Sequence, residues 1–136
     1  MASGMAPLVR QYLIPVPAVA TAGNDDENPV LVAPFAGTVT KVSYIPKTGI
    51  TGANTNTRAV RLRNKGQSGT GTTVVAELQF DAGVNAAAFD EKAVPLSSTQ
   101  GNLVVAAGDV LAWFSDAVGT GMADPGGLAL IEITRD

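Results

Sequence analysis

The sequence predicts an all-β protein: a jelly-roll-like β-sandwich of about eight short antiparallel strands with an extended N-terminal arm. Short apolar runs alternate with turn residues along most of the chain, which contains 15 glycines and 8 prolines. No segment keeps the 3.6-residue period of an amphipathic helix. The length of 136 residues is that of one domain.

The first 28 residues differ from the rest of the chain. Pro15 and Pro17 remove backbone donors and therefore bar a central strand, which indicates an extended arm or an edge strand. A polar loop with three successive acidic residues, 25–27, follows and is expected to be a solvated turn. We therefore divide the chain into an arm and polar loop (1–28) and a sandwich domain (30–136). The other interpretation, that residues 8–14 are the first strand of the sheet, stays open because an edge strand tolerates proline.

From residue 30 onward, alternation with period 2 marks the strands and their buried faces. Val60 and Leu62 are expected to point inward, and Trp113 is expected to lie in the core. One segment, 85–90, has a helix-like composition with Asn85 as a potential N-cap. The predicted strands are 30–33, 38–45, 58–64, 73–80, 93–96, 103–106, 110–114 and 128–134.

Composition excludes several classes of function. The chain has no His and no Cys, which removes the common nucleophile systems, thiol chemistry and His- or Cys-ligated zinc. The net charge of −3 argues against nucleic acid as a partner, and no apolar run approaches the roughly 20 residues that span a bilayer. We expect no enzyme activity, no cofactor, no metal, no small-molecule substrate and no membrane partner.

Three aspartates, Asp109, Asp116 and Asp124, are candidates for catalytic carboxylates. A glycosidase needs two carboxyl groups across a cleft that aromatic side chains usually line. Aromatic residues make up only 5 % of this chain, and the tryptophan is expected in the core. The sequence therefore gives no catalytic residues.

A short basic run lies in the strand predicted at 58–64. Arg61, Arg63 and Lys65 share one face of that strand at period 2. The simpler interpretation is a solvated sheet face, because charged residues blunt exposed strands. The alternative is an electrostatic contact with an acidic partner surface.

Several segments, taken in order, carry a resemblance to a known family. They are GTVTKVSYIP from residue 37, ITGANTNTR from 50, LRNKG from 62, GTGT from 69, AGDVL from 107 and VGTGMADPGGL from 118. From about residue 35 to 134 the chain resembles the small head decoration proteins of tailed bacteriophages. The resemblance implies a structural protein on the exterior of the virion, made in the host cytoplasm. Its implied partners are the major capsid protein and other copies of itself, as a homotrimer that stabilises the capsid.

The proline-broken apolar arm is the predicted contact with the capsid or with a neighbouring subunit, since an extended segment can add a strand to a sheet edge. The alternative function is a carbohydrate- or receptor-binding sandwich, which would require exposed aromatic residues. The capsid-contact candidates are Leu8, Val9, Arg10, Tyr12, Leu13 and Ile14.

Overall fold

The computed structural model describes residues 8–136 as two packed antiparallel sheets, and the predicted β-sandwich is confirmed. Within these residues there is one short 3-10 turn, η1, and no α-helix, so no helix there could cross a membrane. The elements are β1 (Val9–Val16), β2 (Asp26–Val32), β3 (Gly37–Pro46), β4 (Thr57–Asn64), β5 (Thr73–Gln79), β6 (Lys92–Ala93), η1 (Gln100–Leu103), β7 (Val104–Val105), β8 (Val110–Val118) and β9 (Gly127–Arg135).

The strand order is that of a jelly roll. The first sheet has the order β1-β9-β3-β6, with the two-residue β7 also on β3, and the second has the order β2-β8-β4-β5. Apart from β7, the first strand pairs with the last, the second with the next to last, and so on inward to the β4–β5 hairpin. This nesting is a long antiparallel hairpin folded over on itself, as in double-sheet jelly rolls.

The core lies between the two sheets and is built by the alternating inward residues of both. Val60, Leu62 and Trp113 are buried there, as predicted. The Trp113 ring, which is 2 % exposed, packs at 5.7 Å from the Tyr44 ring across the sandwich. Aromatic pairs at this separation add to the area burial of a core.

Strand β2 begins earlier than predicted, because it includes three polar residues that were expected in a turn. Glu27 pairs with Arg63 of β4 and with Lys65, which directly follows that strand, while Asp26 accepts a hydrogen bond from the Asn28 side chain. These contacts hold within the sheet polar residues that would otherwise favour a loop. The predicted boundary between arm and sandwich at residues 28–30 therefore falls inside a strand.

The segment 85–90 is a turn, not the helical piece that its composition suggested. Asn85 Oδ1 accepts the backbone N–H of Gly52 at 2.9 Å and so does not cap a helix. Ala86 forms a β-bridge with Ile50, which ties the segment to a distant loop. Tertiary bonding overrides local propensity here.

Val9–Val16 pairs with β9 over its whole length and forms the edge of the first sheet, which confirms the edge position predicted from its proline, Pro15. The Arg135 N–H donates to the Leu8 carbonyl at 2.8 Å. Along an antiparallel strand, every second residue directs its backbone N–H and C=O groups to the partner strand, and the residues between direct theirs away. Because Leu8 bonds to β9, the backbone groups of Val9, Gln11, Leu13 and Pro15 point away from it. The missing N–H of Pro15 therefore breaks no ladder bond. Residues 1–7 of the predicted arm lie outside the described residues.

The sandwich is closed on one side only. After β6 the chain crosses from the first sheet to the second: Val94 N–H donates to Val42, and Pro95 then accepts from Glu77 of β5. The opposite side lies between the edges of β1 and β2, and no strand among residues 8–136 pairs with either of these edges. The backbone groups on the outward edges of β1 and β2 are therefore left, on this open side, without a partner strand from the described part of the chain.

Candidate functional site: the outer face of the first sheet

The outer face of the first sheet carries a contiguous set of apolar side chains. The register places Leu13 of β1 beside Leu130 of β9, and Leu128 lies between Pro15 and Ile45. Directly paired residues of antiparallel strands point to the same side, so these residues form one surface. We call it the apolar patch; its members are Leu13, Pro15, Ile45, Phe89, Leu128 and Leu130.

Two members of the apolar patch are strongly exposed: Leu13 at 60 % and Phe89 at 81 %. Beside Phe89 a shallow groove of about 300 Å³ is lined by Ile45, Leu128 and their neighbours. Contiguous exposed apolar surface on a small domain marks an interaction site more often than scattered apolar residues do. This end of the sheet is therefore a candidate binding surface.

Phe89 holds its exposed position in an unfavourable backbone conformation. Its φ of 58° lies in the left-handed region, and it has the only positive φ of any non-glycine residue in the described part of the chain. Its N–H donates to the Pro46 carbonyl at 2.9 Å, which fixes the ring beside the patch. A bulky residue in this region carries strain of the order of 1 kcal/mol or more, and such strain clusters at functional sites.

The other half of the same face is polar, and its groups bond to one another. Glu132 accepts hydrogen bonds from Thr40 at 2.7 Å and from Gln11 at 2.8 Å, and these bonds lower the pKa of its carboxyl group. Glu91 accepts from Ser43 at 2.6 Å and pairs with Lys41 at 3.0 Å, and both partners lower its pKa. Apolar side chains next to polar ones are common in protein interfaces.

The structure divides the six predicted capsid-contact residues between two faces. Val9 and Leu13 point outward and are exposed, whereas Tyr12 and Ile14 pack against the core. Leu8 is half-buried, and Arg10 is exposed. A role for these residues in binding stays a prediction.

Most of the apolar patch was not found from the sequence. One signal was present: β9 is apolar on both faces at its start, since Leu128 and Leu130 alternate with the core residues Ala129 and Ile131. A strand of an antiparallel sheet with one solvated face would normally show polar residues at those outer positions. Nothing in the sequence indicated that Phe89 is exposed, because the exposure of loop residues follows no periodic pattern.

The outer face of the second sheet is built differently. Arg61 pairs with Glu77 and with Asp116 (2.6 Å), while Glu27 lies 3.0 Å from Arg63 and 3.2 Å from Lys65. The Arg63 guanidinium also lies 4.7 Å from the centre of the Phe114 ring. The predicted basic run is therefore half-buried and paired within the molecule. Its contact with an acidic partner stays a prediction.

One arginine of the same strand is fully buried. Arg58 is 1 % exposed, and its guanidinium donates to the carbonyls of Met122 (2.6 Å), Asn24 (3.0 Å) and Ala22 (3.0 Å). A fourth bond, at 3.1 Å, reaches the Ser115 hydroxyl. Arg58 thereby joins the loop after β1 to the loop before β9. In the sequence it is one more basic residue of the strand predicted at 58–64, and nothing there indicates its burial.

The three candidate aspartates, Asp109, Asp116 and Asp124, bond to neighbouring groups within the molecule. Buried Asp124 accepts from Tyr44 at 2.5 Å and from Ser115 at 2.6 Å, and burial, followed by the Asp124 charge, raises the pKa of Tyr44 strongly. Asp109 accepts from the Asn64 side chain and the Ala106 N–H, which lower its pKa. Asp116 pairs with Arg61. Across residues 8–136 no cluster of acidic side chains could hold a metal ion.

Comparison with known proteins gives little. No family model matches the chain, and no curated protein matches it. A solved structure from Desmodium yellow mottle tymovirus aligns with 99 % of this chain and 91 % of its own, with 14 % identity and a TM-score of 0.40.

Proposed function

We propose that the protein is a structural component of a phage virion that binds the outer surface of the capsid and stabilises the head as a homotrimer. The proposal starts from the ordered sequence resemblance to head decoration proteins. The single structural observation that supports it is the apolar patch, a set of exposed apolar side chains on the outer face of the first sheet. The proposed partners are the major capsid protein and further copies of this chain, and no catalysis is involved.

The geometry of the outer face suits this role. A sheet face that is apolar at one end and polar over its other half can lie against another protein over a broad area. Leu13 and Phe89 project from it and are the natural anchors, since burial of such side chains contributes about 1.5–3 kcal/mol each. Many copies with modest individual affinity would reinforce a shell collectively.

The test is co-sedimentation of the purified protein with emptied heads of a tailed phage that lack their own decoration protein. Leu13→Lys is the test variant, and Val32→Lys is a matched control. Leu13 is 60 % exposed on an edge strand of the first sheet, and Val32 is 58 % exposed on an edge strand of the second. We expect Leu13→Lys to lose head binding at least tenfold and Val32→Lys to retain it. Equal binding by both variants would remove the outer face from the proposal.

A carbohydrate- or receptor-binding role is the second candidate, and Phe89 is the observation that favours it. An exposed aromatic ring beside a groove is a potential platform for a sugar ring. A glycan array with a hit that Phe89→Ala abolishes, together with no binding to heads, would favour this function over decoration.

A further inference from the structure

The free edge of β1 offers an unused hydrogen-bonding ladder. The backbone groups of Val9, Gln11 and Leu13 point away from β9, and no strand among residues 8–136 pairs with them. Such an edge is a template for another strand. The neighbouring edge on β2 is blunted, because Pro29 lies inside that strand and the register shifts between Pro29 and Leu31.

Proline sets the length of the available ladder. Pro15 occupies the next outward position of β1 and has no N–H to donate. The ladder is therefore limited to Val9–Leu13, and its central residue is Gln11. The occupant must be a short strand that satisfies three outward residues.

We propose that two copies of this chain pair antiparallel through β1, with a two-fold axis at Gln11. This inference goes beyond capsid binding and concerns contact between copies. Gln11 then faces its own counterpart, while Val9 of each copy faces Leu13 of the other. All three outward residues exchange bonds with outward residues, which gives about six backbone hydrogen bonds.

The side chains are complementary in this register. Val9 and Leu13, which are 48 % and 60 % exposed, become cross-strand apolar partners on the outer face. On the opposite side exposed Arg10 faces Tyr12, which allows a cation–π contact in place of like charges. The chain thus carries both halves of the interface, as a two-fold contact requires.

Neighbouring registers are worse. An axis at Arg10 sets two arginines opposite each other, which is unfavourable for a directly paired position. An axis at Tyr12 brings Pro15 opposite Val9 and loses a donor. A shift by one residue would put outward backbone groups against inward ones. The axis at Gln11 satisfies the largest number of groups.

The expected dimer is weak in dilute solution. A ladder of five residues per strand buries less than the roughly 1,000 Å² typical of a stable interface. Copies held close together on a shell have a high effective concentration, which strengthens such a contact. With the sheet face on the capsid, the edge of β1 runs sideways toward the next decorating unit.

Single-cysteine variants test the register, since the chain has no native Cys. Across the axis the Cα atoms of Gln11→Cys would lie about 5.5 Å apart, within the range of a disulfide. Those of Val9→Cys, or of Leu13→Cys, would lie more than about 13 Å apart. Under mild oxidation at high protein concentration we expect a cross-linked dimer from Gln11→Cys and from the double variant Val9→Cys/Leu13→Cys. We expect no cross-linked dimer from Val9→Cys alone or from Leu13→Cys alone.

A second measurement tests the backbone hydrogen bonds without introducing cysteine. Gln11→Pro removes the outward N–H without touching the bonds to β9, whereas Gln11→Thr removes the side chain and keeps the N–H. Sedimentation equilibrium should show weak dimers for wild type and Gln11→Thr, and an at least tenfold weaker association for Gln11→Pro. Cross-linking of Val9→Cys as fast as Gln11→Cys, or unchanged association of Gln11→Pro, would overturn the proposal. Neither assay uses heads, so failure of capsid binding is distinguishable.

Discussion

The two outer faces of the sandwich differ in how far their side chains are paired within the chain. On the second sheet Arg61, Arg63 and Lys65 are paired with carboxylates of the same face. On the first sheet, half of the face is polar and bonded internally, but the apolar patch has no cover among the described residues. The comparison shows that the second face pairs its charged side chains within the chain, whereas the first face keeps exposed apolar side chains, as the proposed partner contact requires.

The largest expected effect concerns stability and the buried arginine of β4. Arg58→Met leaves three loop carbonyls and the Asp124 network without their cation, which should lower the free energy of unfolding by about 3–5 kcal/mol. Urea unfolding followed by tryptophan fluorescence measures this.

Arg61→Met is the matched control for that experiment, because it changes the same residue type three positions along the strand. Its ion pairs lie on the outer face, so its cost should stay within about 1 kcal/mol. Equal costs for the two variants would contradict the distinction between buried and surface cations.

The next effect concerns binding by the apolar patch. Phe89→Gly removes both the exposed ring and the left-handed strain, so stability should stay equal or rise by up to about 1 kcal/mol. Head binding should fall about tenfold, which equals about 1.4 kcal/mol. Phe89→Leu keeps an apolar side chain at the same backbone position and should retain most of the binding. A Phe89→Gly protein that binds heads as wild type does would remove Phe89 from the interface.

A smaller effect is expected on the second face. Glu27→Gln discharges the carboxylate shared by Arg63 and Lys65 and should cost about 1 kcal/mol or less, decreasing further in high salt. Head binding should not change. A loss of binding as large as that of Leu13→Lys would instead assign this face, with its freed cations, to partner contact.

The smallest effect is the pH dependence from the carboxylates with lowered pKa. Hydrogen bonds from Thr40 and Gln11 lower the pKa of Glu132 in the folded state. Its contribution to stability is present above the ordinary carboxyl pKa and is lost as the pH falls through the lowered value. Glu132→Gln should therefore flatten the dependence of the unfolding midpoint on pH below about 4.5. An unchanged slope would show that these bonds do not discriminate between the two protonation states.

Much of the fold could be predicted from the sequence because strands carry a local signal. Alternation predicted the strands at 58–64 and 73–80 and the inward direction of Val60 and Leu62, and proline predicted the edge position of β1. Glu27 was assigned to a turn because its ionic partners, Arg63 and Lys65, are distant in sequence. The nesting of strands is non-local in the same way.

The candidate site was less predictable. The basic run was visible, but its pairing with Glu27, Glu77 and Asp116 depends on which strands become neighbours. Likewise, the burial of Arg58 requires carbonyl groups from two separate loops. Phe89 became part of a surface only when its turn was placed beside Pro46. Contacts made by irregular segments leave no periodic trace in a sequence.

Hydroxyl-radical labelling of the protein, free and bound to emptied heads, tests the central claim most directly. The account predicts that binding protects Leu13, Phe89 and the outward leucines of β9, while Val32 and Phe114 of the second sheet are labelled as in the free protein. Protection of Val32 and Phe114, with Leu13 and Phe89 still fully labelled, would contradict it.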